Sequence, residues 1–284
     1  VNTMKGRFLT AEMIAEFREH LILEERSEAT VEKYIRDVTA FSAFANGGEI
    51  SKETVIAYKK HLQGNYAVRS VNSMLASINS LFAFLGWHDL KVKSIKLQQQ
   101  IYCPEEKELT KVEYTRLCRT AERKHNERLN LILQTICGTG IRVSELRFIT
   151  VEAARQGEAT VSCKAKTRSV FIVKELQKKL LRYAAEQNIK SGMIFITRTC
   201  KPVSRTNIWR EMKNLGKSAT VMDEKVFPHN FRHMFARIFY RVTGNLLQLA
   251  DILGHSSIEV TRIYASDGIM EWKKSMEMLE MLVE

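Results

Sequence analysis

Thr160-Val161-Ser162-Cys163-Lys164-Ala165-Lys166-Thr167-Arg168-Ser169-Val170-Phe171-Ile172-Val173 is the one stretch of the 284-residue chain in which β-prone residues gather. Two such runs, 160–163 and 169–173, flank the polar segment 164–168, a pattern that predicts a single hairpin with 164–168 at its tip. On either side of the hairpin the apolar residues recur at helical spacing. The fold class is therefore read as mainly α: a helical N-terminal domain followed by an α+β domain with a small β-sheet.

Upstream, Val31, Tyr34, Ile35, Val38, Phe41 and Phe44 form one helical stripe, with Ser27 placed to cap it and Gly47-Gly48 to end it. Val71, Leu75, Ile78, Leu81, Phe82 and Leu85 form a second stripe, with Gly86 as its left-handed exit. Shorter patterns at 10–24 and 51–63 complete a four-helix unit. The segment from Lys91 to Lys107 is rich in lysine and glutamine, contains Pro104 and lacks periodicity, so it reads as an exposed basic linker. The expected organisation is a helical domain over 1–100, a linker over 101–107 and a second domain over 108–284.

Downstream, Thr110-x-x-Glu113 is a capping box, and a helix over 126–137 stops at Gly138-Thr139-Gly140. Beyond the hairpin, helices are expected near 174–187, 204–215, 229–242, 245–253 and 257–265, with Gly216, Gly244 and Gly254 as stops. A last apolar stripe, Trp272, Met276, Leu279 and Val283, predicts a tail helix.

Lysine and arginine number 44 against 32 acidic residues, a net charge of +12 that points to a polyanion, nucleic acid before a membrane surface. Residues 1–100 hold 13 basic and 11 acidic side chains, so +10 of that charge falls after position 100. Five scattered cysteines without a CxxC pair argue against a disulfide framework or a zinc site. No apolar run is long enough to span a bilayer, and the first residues lack the apolar centre of a signal peptide, so a soluble, cytoplasmic protein is expected.

Four segments carry polar groups that a core does not need. Gly138-Thr139-Gly140-Ile141-Arg142-Val143-Ser144-Glu145 delivers Arg142 at the start of a helix, where a guanidinium can fork two bonds to a phosphate; paired with Glu145, it could equally be an ordinary surface arginine. Pro228-His229-Asn230-Phe231-Arg232 sets His229 and Arg232 on one face of a helix N-terminus, with His233 turned elsewhere or toward the core. Leu253-Gly254-His255 places His255 in a tight turn before the capping box Ser256-x-x-Glu259. Tyr264 follows two turns later; a tyrosine attacks phosphorus only when its proton is removed and the phosphate charge is neutralised.

Arg142, a hairpin lysine, His229-x-x-Arg232, Leu253-Gly254-His255 and Tyr264, in that order, resemble the signature of the tyrosine recombinase or phage integrase family. The resemblance spans nearly the whole chain, since the N-terminal unit is similar to the family's helical core-binding (SAM-like) domain. It implies a two-domain clamp on double-stranded DNA, with self-association into a tetramer on two sites and room for accessory DNA-bending proteins. Arg142, Arg232 and His255 would hold the scissile phosphate while Tyr264 attacks it to give a 3′-phosphotyrosyl link. His229 would assist proton removal, and Glu145 would brace the site. The hairpin lysine that protonates the leaving oxygen would be Lys164, with Lys166 as the alternative because Cys163-Lys164-Ala165 lacks the family's flanking glycines. Neither metal nor nucleotide cofactor is implied, and the chain has no P-loop. Integration of a mobile element, dimer resolution and inversion all remain open, as do a type IB topoisomerase and a non-catalytic DNA-binding regulator. The tail helix would dock on a neighbouring protomer or on its own domain. Helix 204–215, with Arg205, Arg210 and Lys213 opposite Ile208, Met212 and Leu215, is a candidate for groove contact.

Overall fold

A computed structural model describes residues 6–96, 107–163, 166–255, 258 and 261 of the chain. Lys164, Tyr264, the Ser256-x-x-Glu259 box, the 257–265 helix and the tail stripe lie outside those described residues, apart from positions 258 and 261. The chain divides into two compact units, Val1–Gln99 and Gln100–Glu284.

Among the described residues the first unit holds four α-helices, α1 (Ala11–Leu23), α2 (Glu28–Ala45), α3 (Lys52–Asn65) and α4 (Val68–Phe84), and a 3₁₀ turn over His88–Leu90. The two predicted stripes meet, since α2 packs on α4 and contributes Val31, Val38 and Phe41, while α4 contributes Val71, Leu75, Ile78, Leu81 and Phe82. Burying side chains of this size stabilises by about 1.5–3 kcal/mol each before chain entropy is subtracted. Asp37, buried on the same face of α2, accepts from Lys33 Nζ at 2.7 Å and from Ser77 Oγ at 2.8 Å, so its charge is paired within α2 and hydrogen-bonded across to α4. Ser27 stands at the N-cap of α2, but its hydroxyl meets Thr30 Oγ1 at 2.8 Å instead of a backbone amide.

Lys91–Ile95 does not run free, as its linker-like composition suggests. Val92 is buried, and the Asn79 and Asn72 side chains each both donate to and accept from one backbone residue, Val92 and Ile95 respectively. Lys52 and Lys59 donate to the carbonyls of Lys91 and Lys93. Two asparagine amides thus satisfy peptide groups of a segment that lies outside regular secondary structure.

The second unit is built around α6 (Glu127–Thr139), which packs against α5 (Lys111–Arg123), α8 (Lys174–Glu186), α9 (Arg205–Ser218) and α10 (Pro228–Thr243). The Thr110 capping box forms, and Glu113 within it also pairs with the buried Lys225 at 2.9 Å. The helix expected to start at Arg142 is a 3₁₀ helix over Val143–Phe148, whereas the short α7 (Val151–Gln156) and a 3₁₀ turn over Asp223–Lys225 were not expected from the sequence. The hairpin exists but is longer than predicted, with β1 (Glu158–Cys163) antiparallel to β2 (Lys166–Phe171). Arg168 is therefore a strand residue opposite Val161, not part of the tip.

Gly216 does not stop α9, which continues to Ser218; a Cβ there would lie 2.9 Å from Val226 Cγ2, so this glycine allows close packing. Gly244 and Gly254 do end α10 and α11 (Leu246–Leu253), both in the left-handed conformation. No helix among the described residues is long and apolar enough to cross a membrane.

Candidate active site

The site begins where α6 ends. Gly140 takes φ +66°, and its backbone approaches the Phe235 ring so closely that a Cβ would lie 2.5 Å from Cδ1. This turn leads into Arg142 at the start of a helix, as the sequence suggests, and that helix is the 3₁₀ helix over Val143–Phe148. Three residues on, Glu145 is buried, and its carboxylate accepts from the Arg142 amide and from Arg142 Nη1, both at 2.9 Å.

Arg232 comes from α10, whose first residue is Pro228. It is 1% exposed, and that burial is possible because two helix ends supply acceptors. Nη1 donates to Gly140 O at 2.5 Å, at the carboxyl end of α6, and Nη2 to Leu253 O at 2.6 Å, at the carboxyl end of α11. Terminal carbonyls lack intrahelical partners and carry the negative end of the helix dipole, so they stabilise a buried cation.

Arg232 Nη2 also lies 3.2 Å from His255 Nε2, while His255 Nδ1 lies 2.8 Å from Thr261 Oγ1. A guanidinium can only donate, so Nε2 is the accepting nitrogen and Nδ1 carries the proton. His255 is pushed down to about 4, first by burial and then by Arg232, Arg142, His229 and Arg168. His229 is also lowered, by burial and then by Arg232 and Arg142. Both imidazoles are neutral at pH 7. His233, whose ring centre is 4.3 Å from that of His229, is pushed to about 3 by burial and then by its charged neighbours.

Arg142, His229 and Arg232 line one cleft of roughly 720 Å³ together with Arg205, Trp209 and Lys213 of α9. Ile208, Met212 and Leu215 on the opposite side of α9 are buried, as the amphipathic pattern predicts. Of the six candidate residues, Arg142, His229, Arg232 and His255 thus come together, whereas Lys164 and Tyr264 lie outside the described residues. The arginine forks around this hollow suit a phosphodiester, whose negative charge they would meet with directed donors, and His229 beside them is a neutral imidazole.

Sequence reasoning missed two partners of the site. Thr261 orients His255, and Arg168 donates from Nη2 to Glu145 Oε2 at 2.5 Å and from Nη1 to Ile252 O at 2.6 Å. The alternation of a strand was the available signal for Arg168, because residues two apart share a face and Val170 is buried.

Comparison with known proteins adds to this geometry. The profile of the "Phage integrase family" matches residues 107–268, and that of the "Phage integrase, N-terminal SAM-like domain" matches residues 14–89. The chain is similar to tyrosine recombinase XerA of Thermococcus kodakarensis, 27% identical over 95% of this chain and 96% of that protein. It is also similar to tyrosine recombinase XerC of Pediococcus pentosaceus, 27% identical over 89% of this chain and 92% of that one. Among solved structures, its fold is similar to a lambda integrase dimer bound to a COC′ core site, with a TM-score of 0.76 at 16% identity, covering 94% of this chain and 98% of that one. It is likewise similar to XerH bound to its difH substrate, with a TM-score of 0.70 at 15% identity, covering 95% and 85%.

Proposed function

The chain belongs to the phage integrase family of tyrosine recombinases, and from that footing we propose that it cuts and rejoins double-stranded DNA at specific sites through Tyr264. The observation that carries the reading is the convergence of Arg142, Arg232 and His229 on one cleft, with His255 held against Arg232, a set whose two guanidinium groups would neutralise a scissile phosphate. In the proposed step the Tyr264 phenol oxygen bonds to phosphorus and the bond from phosphorus to the 5′-oxygen breaks. The phenol proton leaves with help from neutral His229, and the 5′-oxygen takes a proton from Lys164, with Lys166 as the alternative donor. Arg142 and Arg232 meet the charge that grows on the non-bridging oxygens.

The 3′-phosphotyrosyl link keeps the energy of the phosphodiester, so a 5′-hydroxyl from a second duplex can reverse the step without metal or nucleotide. Exchange between two duplexes requires four active sites, hence a tetramer, which accessory DNA-bending proteins could assist. Within it the helical unit over 1–100 would grip the DNA, joined by the 101–107 linker to the catalytic domain over 108–284. The tail helix would dock on a neighbouring protomer or on its own domain.

A nicked duplex from which the cut strand diffuses away tests the central step. Wild-type protein should become covalently attached to that DNA, and Tyr264→Phe should abolish the adduct while still binding. DNA binding with no adduct from the wild-type protein would sink the proposal in favour of a regulator.

A further inference from the structure

Three arginines from three different elements end on three successive carbonyls. Arg168 of β2 donates to Ile252 O at 2.6 Å, Arg232 of α10 to Leu253 O at 2.6 Å, and Arg142 to Gly254 O at 3.4 Å. Ala250 O and Asp251 O are taken by the backbone amides of Gly254 and His255, so the free acceptors at the end of α11 are those the guanidinium groups use. The turn that carries His255 is thereby tied to the hairpin, to α10 and to the Arg142 segment at once.

Arg168 is the member of this set that no role in the cleavage step yet explains. Its side chain is largely buried, 12% exposed, and does not line the cleft. Its Nη2 shares the Glu145 carboxylate with Arg142: Oε2 receives Arg168 at 2.5 Å, and Oε1 receives Arg142 Nη1 at 2.9 Å. The chain also leaves room for it. At Gly254 a Cβ would lie 2.5 Å from Arg168 Cδ and 2.7 Å from Nε, so the glycine that ends α11 is also the gap through which the guanidinium reaches Ile252.

We propose that Arg168 is a positioning residue for strand cleavage, one that is anchored on the end of α11 and holds Arg142 in place through Glu145. The inference rests on the reading of Arg142 as a phosphate ligand. Without Arg168 the Glu145 carboxylate keeps one guanidinium partner and can turn, and the Arg142 fork turns with it. A misplacement of about 1 Å at a reacting group costs about 100-fold in rate.

The test is single-turnover cleavage of the nicked duplex by the full chain, at saturating protein, with DNA affinity and melting temperature measured beside it. Arg168→Ala should cleave about 100-fold more slowly with DNA affinity within about 3-fold of wild type. Arg168→Lys, which keeps the charge but not the fork, should fall between the two. If Arg168→Ala does not fold, Arg168→Lys carries the test, with slower cleavage expected at unchanged affinity. In an Arg142→Lys background, where the fork is already lost, adding Arg168→Ala should cost no more than about 3-fold, a smaller factor than in the wild-type background. An equal factor in both backgrounds, a loss confined to affinity, or cleavage by the folded variant within about 3-fold of wild type would overturn the inference. Absence of an adduct from the wild-type protein would overturn the Tyr264 reading and this inference together, whereas a wild-type adduct with an unimpaired Arg168 variant overturns the inference alone.

Discussion

Arg232 shows how a charge can be both buried and useful. Its guanidinium is held by Gly140 O and Leu253 O and lies against His255, while the residue still lines the cleft. Burial first, and this cation beside it, keep the neighbouring imidazoles neutral, with a consequence for pH. An unfolded imidazole binds its proton near pH 6.5, whereas in the folded protein His255 does so only near 4 and His233 only near 3. Between those limits the unfolded state holds more protons, so the stability present above pH 6.5 is lost as the pH falls toward 4 and then 3. Melting temperature should therefore decline from pH 7 to pH 5, above the range where most carboxylates titrate, and His233→Asn should flatten the decline. A melting temperature constant over that interval would contradict the burial assigned to these rings.

At the scale of elements, helix ends do more than terminate helices. Gly244 and Gly254 both sit in the left-handed region, at φ +62° and +64°, but only Gly254 is crowded, by Arg168. Gly244→Ala should cost the backbone term alone, about 1–2 kcal/mol, whereas Gly254→Ala should cost more and slow cleavage as well. Denaturant unfolding of the two variants measures the difference, and equal losses would show that the Arg168 contact is dispensable. The hairpin teaches a related lesson. Lys166-Thr167-Arg168 looks like a tip by composition, yet paired strands extend through it, because Val161 opposite Arg168 and Ala159 opposite Val170 make one buried face. Cross-strand burial overrode the local polarity.

For the whole molecule, the concentration of charge after position 100 implies an electrostatic contribution to binding that salt should weaken. On duplex DNA, log affinity should fall linearly with log salt, with a slope of about −0.9 per phosphate contacted; a flat dependence would remove DNA wrapping from the reading. Cleavage should persist in chelator, because cationic side chains carry the charge neutralisation that a metal supplies elsewhere. Removing residues after 267 should impair assembly on two sites if the tail docks between protomers, and leave it intact if the tail packs at home.

By itself the sequence determined most of the described helices, the glycine exits at Gly244 and Gly254, the hairpin's existence and the residue types able to meet a phosphate, because periodicity, caps and turns are properties of neighbours a few positions apart. It also carried the family signature, in order along the chain. Only the tertiary structure decided that Arg232 lies buried against Gly140, 92 positions away, that Lys91–Ile95 is strapped down by asparagines, and that Arg168 turns inward to Glu145 and the end of α11. Those outcomes depend on which unpaired carbonyls and carboxylates folding brings within about 3 Å of a donor, and no pattern confined to one segment records that.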